Sequence, residues 1–152
     1  MRNKRIHISQ MTLGILLMTL VFIGLGTNPI QAQGRERAEL MSYAQDLYRS
    51  YGIDISRNAF DLVELARVGR VFRISIETTQ DDLSQDLMTA FLVGGAVSQH
   101  AVEAMDRIQV TASYMQTVKK TIILHASGDC CEKLYNNRLS ADIFSADCLV
   151  KE

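Results

Sequence analysis

The sequence predicts an α+β fold with an antiparallel sheet of four strands, or of three if the first strand pair does not form. One observation is that apolar and polar residues alternate over 70–78 and 107–114, which is the period of a half-buried strand. Another is a long run of helical spacing between them, over 81–105. Neighbouring strands that pair locally, with a long helix between the pairs, favour helices on one face of the sheet over a doubly wound parallel sheet.

The chain before these strands predicts a helix over 35–51. Apolar residues recur there at steps of three and four residues and form one stripe, namely Leu40, Met41, Ala44, Leu47, Tyr48 and Tyr51. Gly52 follows directly and suits the left-handed position that ends many helices. Because Tyr48 and Tyr51 lie on this stripe, we expect them to pack in the core. Tyr43 lies off the stripe and is a candidate for surface recognition.

Residues 58–66 fit either a turn-rich helix or a strand. Gly69 separates them from the clear strand at 70–78, and a glycine in a left-handed conformation is common in hairpin loops. We therefore favour a first hairpin.

The long central helix carries two adjacent glycines, Gly94 and Gly95, which cost about 1 kcal/mol each relative to alanine. They could form a hinge or allow close packing, and we favour close packing. Thr79 is the expected N-cap, and Asp81, Asp82 and Asp86 suit the positive end of the helix dipole better than a calcium loop, which needs a turn-making glycine.

A second hairpin and two short helices complete the predicted order. Residues 107–114 and 118–126 form the hairpin, because the link of residues 115–117 is short. Asp129, with Glu132 three positions later, has capping-box spacing for the next helix. A last helix opens at Leu139–Ser140 and runs to Cys148.

The first 32 residues have the layout of a secretory signal peptide. Three basic residues precede an uncharged apolar run, Leu13–Leu25, and Ala32 ends a small-residue cleavage pattern. The apolar run is short for a membrane span, which takes about 20 residues. We favour cleavage over an uncleaved anchor, which predicts a domain of residues 33–152 that is secreted or periplasmic, or tethered to a membrane through residues 1–32 alone.

Charge argues against nucleic acid as a partner. The whole chain has 16 Lys and Arg against 17 Asp and Glu. Removal of residues 1–32 takes away Arg2, Lys4 and Arg5, and the remaining 13 basic and 17 acidic residues give a net charge of −4. Nucleic acids and anionic lipids select for positive charge.

Two features of the chain resemble those of other proteins. They are the segment Leu134–Ser140 before the closing helix, and the order of the elements, which is helix, hairpin, helix, hairpin, short helices. In both respects the chain resembles small exported prokaryotic domains of unknown function. The resemblance implies the same kind of fold and carries over no catalytic or ligand-binding residue.

Three cysteines, Cys130, Cys131 and Cys148, lie in the terminal helices, and an exported chain can keep a disulfide. Cys131 shares a face with Leu134, and Cys148 shares one with Phe144, so a Cys131–Cys148 bond is preferred. A Cys130–Cys148 bond is nearly as favourable, and a vicinal bond is ranked last. Three buried reduced thiols are the alternative.

Chemistry at the cysteines is the alternative function. His125, Asp129 and Glu132 lie near them and could form a metal or thiol site. Adjacent cysteines point in different directions, however, and the familiar gap between zinc ligands is missing. We expect no cofactor and no metal, and treat His100 as a solvated surface residue.

The leading hypothesis is therefore a non-enzymatic binding domain of the cell envelope or exterior, whose partner is a protein or small ligand. The alternative is a small redox or thiol enzyme, or a metal site, at the C-terminal cysteines. An exposed thiol of low pKa would favour the alternative.

Overall fold

The computed structural model describes residues 29–152, and their side chains from residue 34 onward. The helices among them are α1 (Pro29–Ser50), α2 (Leu83–His100), α3 (Gly128–Tyr135) and α4 (Ala141–Asp147). The strands are β1 (Phe60–Leu65), β2 (Gly69–Thr78), β3 (Arg107–Met115), β4 (Lys119–Ser127) and β5 (Val150–Lys151). A short 3₁₀ helix, Arg57–Ala59, leads into β1.

The predicted signal peptide, residues 1–32, lies outside the described residues except for the backbone of its last four, which is helical. Within the described range, no helix is both long enough and apolar enough to cross a membrane.

The α+β class is confirmed, but the predicted four-stranded antiparallel sheet is wrong in two respects. The sheet has five strands in the order β1-β2-β3-β4-β5, and β2 pairs with β3 in parallel. The parallel pair arises because α2 carries the chain back to the starting end of β2, as a crossover between parallel strands must. The fifth strand is only two residues long, too short for a sequence period to reveal.

Both predicted hairpins form. β1 pairs with β2 in antiparallel register from Phe60 opposite Ile74 to Leu65 opposite Gly69. Gly69 has a φ of +88°, the left-handed conformation expected of it. Next to it, the amide of Arg70 donates to the carboxylate of Asp106 over 2.7 Å.

One face of the sheet carries the helices. Phe72, Ile108 and Ala126 are neighbours across β2, β3 and β4 and are almost fully buried. The same core includes Tyr48 of α1, Phe91 of α2 and Phe144 of α4 together with residues of α3, so the expectation of helices on one face is confirmed. On the opposite sheet face Val71 is fully buried, whereas side chains such as Arg73 and Gln109 are only partly buried.

The two central glycines of α2 lie where the helix is pressed between two neighbours. A Cβ on Gly94 would overlap the side chain of Ile108 in β3. A Cβ on Gly95 would overlap the backbone carbonyl of Cys131 in α3. Close packing is therefore the reason for both glycines, as the sequence predicts.

Three helix ends differ from the predictions. The side chain of Ser127, not Asp129, caps α3 by accepting from the amide of Cys130. Thr79 accepts from the amide of Asp82 over 3.1 Å and so caps the turn that precedes α2. α2 ends at His100, before the predicted end at 105.

A buried guanidinium joins α1 to the sheet. Arg70 Nη2 lies 2.7 Å from Glu36 Oε2, and Nη1 donates to the backbone carbonyl of Glu103 over 2.8 Å. Burial raises the pKa of Glu36, but the Arg70 guanidinium and nearby backbone amides outweigh it and hold the pKa below its ordinary value of 4.5. The pair ties the first half of α1 to β2.

The glycines of α2 predict an order of stability effects. Gly95→Ala should destabilise the fold by about 2 kcal/mol or more, because a backbone carbonyl cannot move aside as a side chain can. Gly94→Ala should cost less, since only the side chain of Ile108 must shift. Gly34→Ala, at an exposed helical position with no atom near its Cβ, is the control and should stabilise by up to about 1 kcal/mol. Urea unfolding measures all three, and a stabilising Gly95→Ala would contradict the close approach.

Candidate functional site

A pocket of about 320 Å³ lies at the end of the sheet where α1 stops and α2 begins. Its walls are Tyr48 of α1, the loop 53–56, Ala59, residues 75–77 of β2 and Asp86 of α2. This volume is at the lower end of the range of small-ligand pockets, which begins at about 300 Å³.

Local backbone chemistry fixes the loop that forms one wall. Gly52, with a φ of +78°, ends α1 as the sequence predicts, and the amide of Ile53 donates back to the carbonyl of Tyr48 over 3.0 Å. Gln45 Nε2 then donates to the carbonyl of Ile55 over 2.9 Å. The wall is thus attached to α1 at two points.

The sheet leaves part of β2 without a neighbour at the pocket. β1 begins at Phe60 opposite Ile74, whereas β2 continues to Thr78 and pairs with β3 over that length. The side of β2 that faces the pocket therefore has no partner strand over residues 75–77. Since the backbone groups of a strand alternate between its two sides, this segment presents hydrogen-bonding groups to the pocket.

Tyr48 lines the pocket, but its hydroxyl is enclosed by the protein. The residue is only 2% exposed, and its hydroxyl has no hydrogen-bond partner. Burial, and secondarily the charge of Asp86, raise the pKa of Tyr48 far above its ordinary value of 10.0, so the hydroxyl stays protonated. Buried polar atoms are nearly always paired, and an exception requires an explanation.

The charged residues that line the pocket are all acidic. Asp54, Glu77 and Asp86 supply three carboxylates, and no Lys, Arg or His is among the lining residues. Asp86 is half-buried and accepts a hydrogen bond from Thr78 Oγ1. Glu77 lies at the exposed rim, 3.0 Å from the ammonium group of Lys119.

The sequence predicts structural roles for Tyr48 and Asp86. Tyr48 lies on the apolar stripe of α1 and is indeed buried, but the stripe cannot show that its hydroxyl lacks a partner. Asp86 does lie in the first turn of α2, where it complements the dipole. The only signal of a site would have been a buried tyrosine next to a glycine-terminated helix end, and that signal is weak.

The cysteines form a disulfide, but not the preferred one. The bond joins Cys130 to Cys148, with Cα atoms 6.2 Å apart, and Cys131 is free. The preference for Cys131 is therefore wrong. The face that Cys131 shares with Leu134 packs into the core, as does Phe144, so that shared face does not form the link between α3 and α4.

The free thiol of Cys131 lacks the exposure and the low pKa of a reactive cysteine. Cys131 is fully buried, and burial, followed by the charge of Glu132, raises its pKa. His125 belongs to the sheet face away from the core, because its register partner is Gln109 between the core residues Ile108 and Val110. The geometry therefore does not bring His125 to the thiol.

The remaining groups of the C-terminal cluster have other partners. Glu132 accepts from Ser98 Oγ over 2.7 Å, and Asp129 pairs with Lys133. His125 Nδ1 lies 3.3 Å from Glu152 Oε1 without the alignment of a hydrogen bond. In the described part of the chain, no three His, Cys, Asp or Glu residues are grouped so that they could hold a metal ion.

The surface candidate Tyr43 is used within the fold. It is half-buried, and its ring stacks on His100 with the ring centres 4.3 Å apart. His100 is exposed as expected, but the stacking gives it a part in the contact between α1 and α2.

Comparison of the chain with known protein families, with curated proteins and with solved structures finds no match. The resemblance to small exported prokaryotic domains stays a prediction.

The disulfide predicts a redox-dependent stability. Cys148→Ser should lower the free energy of unfolding by about 3 kcal/mol, because the bond closes a loop with a sequence separation of 18. Cys130→Ser should have the same effect, and a reducing agent should destabilise the wild type equally. Cys131→Ser is the control, since its unfolding midpoint should still respond to the reductant. A reductant response in Cys148→Ser that matches the wild type would contradict the assignment.

The unpaired hydroxyl predicts that its removal stabilises the empty protein. Tyr48→Phe should raise the free energy of unfolding by about 1 kcal/mol or more, because the desolvation cost of a buried unpaired polar group is about 1–3 kcal/mol. Tyr51→Phe is the control, because Tyr51 is 48% exposed, and it should change stability by less than about 0.5 kcal/mol. Urea denaturation would contradict the assignment if Tyr48→Phe were the less stable protein.

Proposed function

We propose that this chain is a non-enzymatic binding domain that holds a small molecule in the pocket beside Tyr48. The observation that carries the proposal is a pocket of about 320 Å³ whose walls combine Ile53, Ile55 and Ile76 with the carboxylate of Asp86. Mostly apolar walls with a few polar groups are typical of small-ligand pockets.

The pocket chemistry supports binding over catalysis. A general base needs a group that gives up and takes a proton near neutral pH. The raised pKa of Tyr48 keeps its hydroxyl protonated and therefore suited to hydrogen bonding alone. The thiol alternative required an exposed cysteine of low pKa, and Cys131 is buried with a raised pKa.

The place of action in this proposal is outside the cytoplasm. The basic start, the apolar run and the small-residue ending of residues 1–32 support export, and the Cys130–Cys148 disulfide is compatible with an oxidising compartment. N-terminal sequencing of the protein from its source cells should begin at Gln33. Recovery of intact Met1 in the membrane fraction would replace secretion with anchoring.

Nuclear magnetic resonance titration tests the binding function. The probes are benzyl and cyclohexylmethyl compounds, each as the amine, the alcohol and the corresponding carboxylate. At least one probe should shift the amide signals of residues 53–56 and 75–77, because these segments line the pocket.

A matched pair of variants localises the binding. Ala59→Leu fills the pocket and should abolish the shifts, whereas Ala146→Leu makes the same change at an exposed position of α4 and should preserve them. Failure of all the probes to shift these amides, or equal shifts in the Ala59→Leu protein, would refute the pocket as a binding site.

A further inference from the structure

We propose that the pocket binds a short peptide in extended conformation, which pairs as an added strand with the free edge of β2. The free edge is the side of β2 that has no partner strand over residues 75–77. The inference rests on the proposed function and names its ligand class. It is carried by the direction of the backbone groups of β2, by the 3₁₀ helix that precedes β1, and by the walls of the gap between them.

The backbone contacts of Arg70 show which residues of β2 face the pocket. Its amide donates to the carboxylate of Asp106 over 2.7 Å, and its carbonyl accepts from the amide of Asp106 over 2.9 Å. Asp106 directly precedes β3, so the backbone groups of Arg70 point toward β3. Successive residues of a strand point these groups to opposite sides, and those of Ser75 and Glu77 therefore point toward β1 and the pocket.

The chain before β1 does not supply a partner for these groups. β1 begins opposite Ile74, and the 3₁₀ helix before it is not extended, so it does not continue the ladder. The amide of Ala59 is next in line to bond the carbonyl of Ser75, but it donates to the carbonyl of Ser56 over 2.9 Å. Among the described residues, the Ser75 carbonyl and both backbone groups of Glu77 thus have no partner strand on this side.

A ligand can reach this edge from the solvent. Ser75 and Glu77 are exposed and line the pocket, in contrast to the enclosed hydroxyl of Tyr48. A strand edge with free N–H and C=O groups is a template for a further strand. An extended peptide offers the complementary groups, and main-chain hydrogen bonds provide the affinity in recognition by strand addition.

The walls of the gap suit a peptide whose side chains alternate in character. Ile53, Ile55 and Ile76 line the pocket. Ile76 belongs to the buried core on the helix-covered face of the sheet, and a peptide residue opposite it would lie on the same face. We therefore expect an apolar side chain at that position. The next peptide residue would lie on the open face beside Glu77, where a polar side chain is suitable.

Charge complementarity selects among such peptides. Asp54, Glu77 and Asp86 are the ionised residues of the lining, and none of the lining residues is basic. Opposite charges on neighbouring strands stabilise pairing, and like charges oppose it. A peptide of alternating apolar and basic residues therefore matches the edge and its walls, whereas an acidic peptide would face Glu77 with like charge.

The test uses an acetylated tetrapeptide amide of alternating valine and lysine as the probe. In a nuclear magnetic resonance titration it should shift the amide signals of Ser75, Glu77 and residues 53–56, because these line the gap. The matched peptide of valine and glutamate should bind at least about threefold more weakly, as expected from the reversed cross-strand charge. Equal or tighter binding of the glutamate peptide would overturn the assignment of a basic ligand.

Two methylated forms of the lysine peptide test the backbone pairing itself. One has N-methyl groups at its first and third residues, and the other has them at its second and fourth. Only alternate amides of an added strand face β2. One form should therefore lose at least about tenfold in affinity, and the other should bind like the parent peptide. Equal affinities of the two forms, whether kept or lost, would overturn strand addition.

Variants of the protein locate the pairing on β2. Glu77→Pro removes the N–H that faces the pocket and keeps the bonds to β3, which neighbouring residues make, and it should weaken peptide binding at least about tenfold. Glu77→Gln removes the same charge but keeps the N–H, and should weaken binding by less than about fivefold. Peptide binding to Glu77→Pro as tight as to the wild type would contradict the inference.

Glu64→Pro is the matched control for the proline substitution. Glu64 is exposed and lies opposite Arg70, whose backbone groups face β3, so the N–H of Glu64 points away from β2. The same substitution there should leave peptide binding unchanged. If it abolishes the binding as Glu77→Pro does, the effect of proline is not specific to the pocket and the assignment of the edge fails.

The outcomes separate this inference from the proposed function. Amide shifts with the benzyl or cyclohexylmethyl probes but none with the lysine peptide would overturn the peptide ligand and leave the pocket as a small-molecule site. The same shifts on raising the protein concentration alone would overturn it too, because a second copy of the chain would then occupy the edge. If neither the peptide nor the small probes shift these amides, the binding function itself fails.

Discussion

The fold depends on the close approach of α2 to two neighbours at once. Gly94 and Gly95 let this helix lie against Ile108 of the sheet on one side and against the backbone of α3 on the other. At Gly95 no side chain separates α2 from the backbone of α3, so backbone atoms set the distance between these two helices. Backbone contacts cannot be relaxed by a rotamer change, and the two helices therefore have little freedom to shift.

This fixed helix also determines the pocket. Because α2 starts after β2 has extended past β1, its first turn places Asp86 above a strand segment with one unpaired side. The end of α1 places Tyr48 against the same space. The pocket is thus a product of unequal strand lengths: had β1 begun four residues earlier, it would have paired with β2 and filled the space.

The sequence predicts the local elements well and their assembly less well. Alternation identified β2 and β3, the short link after β3 helped to identify β4, and the glycines at positions 52 and 69 adopt the left-handed conformations expected. The parallel pairing of β2 with β3 was missed because periodicity reports which face is buried and not which strand lies alongside. The Cys130–Cys148 bond and the unpaired Tyr48 hydroxyl depend on contacts between distant segments, which residue spacing does not encode.

The disulfide also affects the exposed edge of the sheet. Beyond β4 the described residues supply the two-residue β5, which pairs with Leu124 and His125 and is separated from Cys148 by Leu149 alone. Edge strands with free backbone groups can recruit other chains. The charges of Lys119 and Lys120 oppose pairing of the first part of β4 with another chain. Its last part is covered by β5, which the disulfide holds close to α3. Resistance to strand-to-strand aggregation is therefore permanent at one end of this edge and dependent on the redox state of the surroundings at the other.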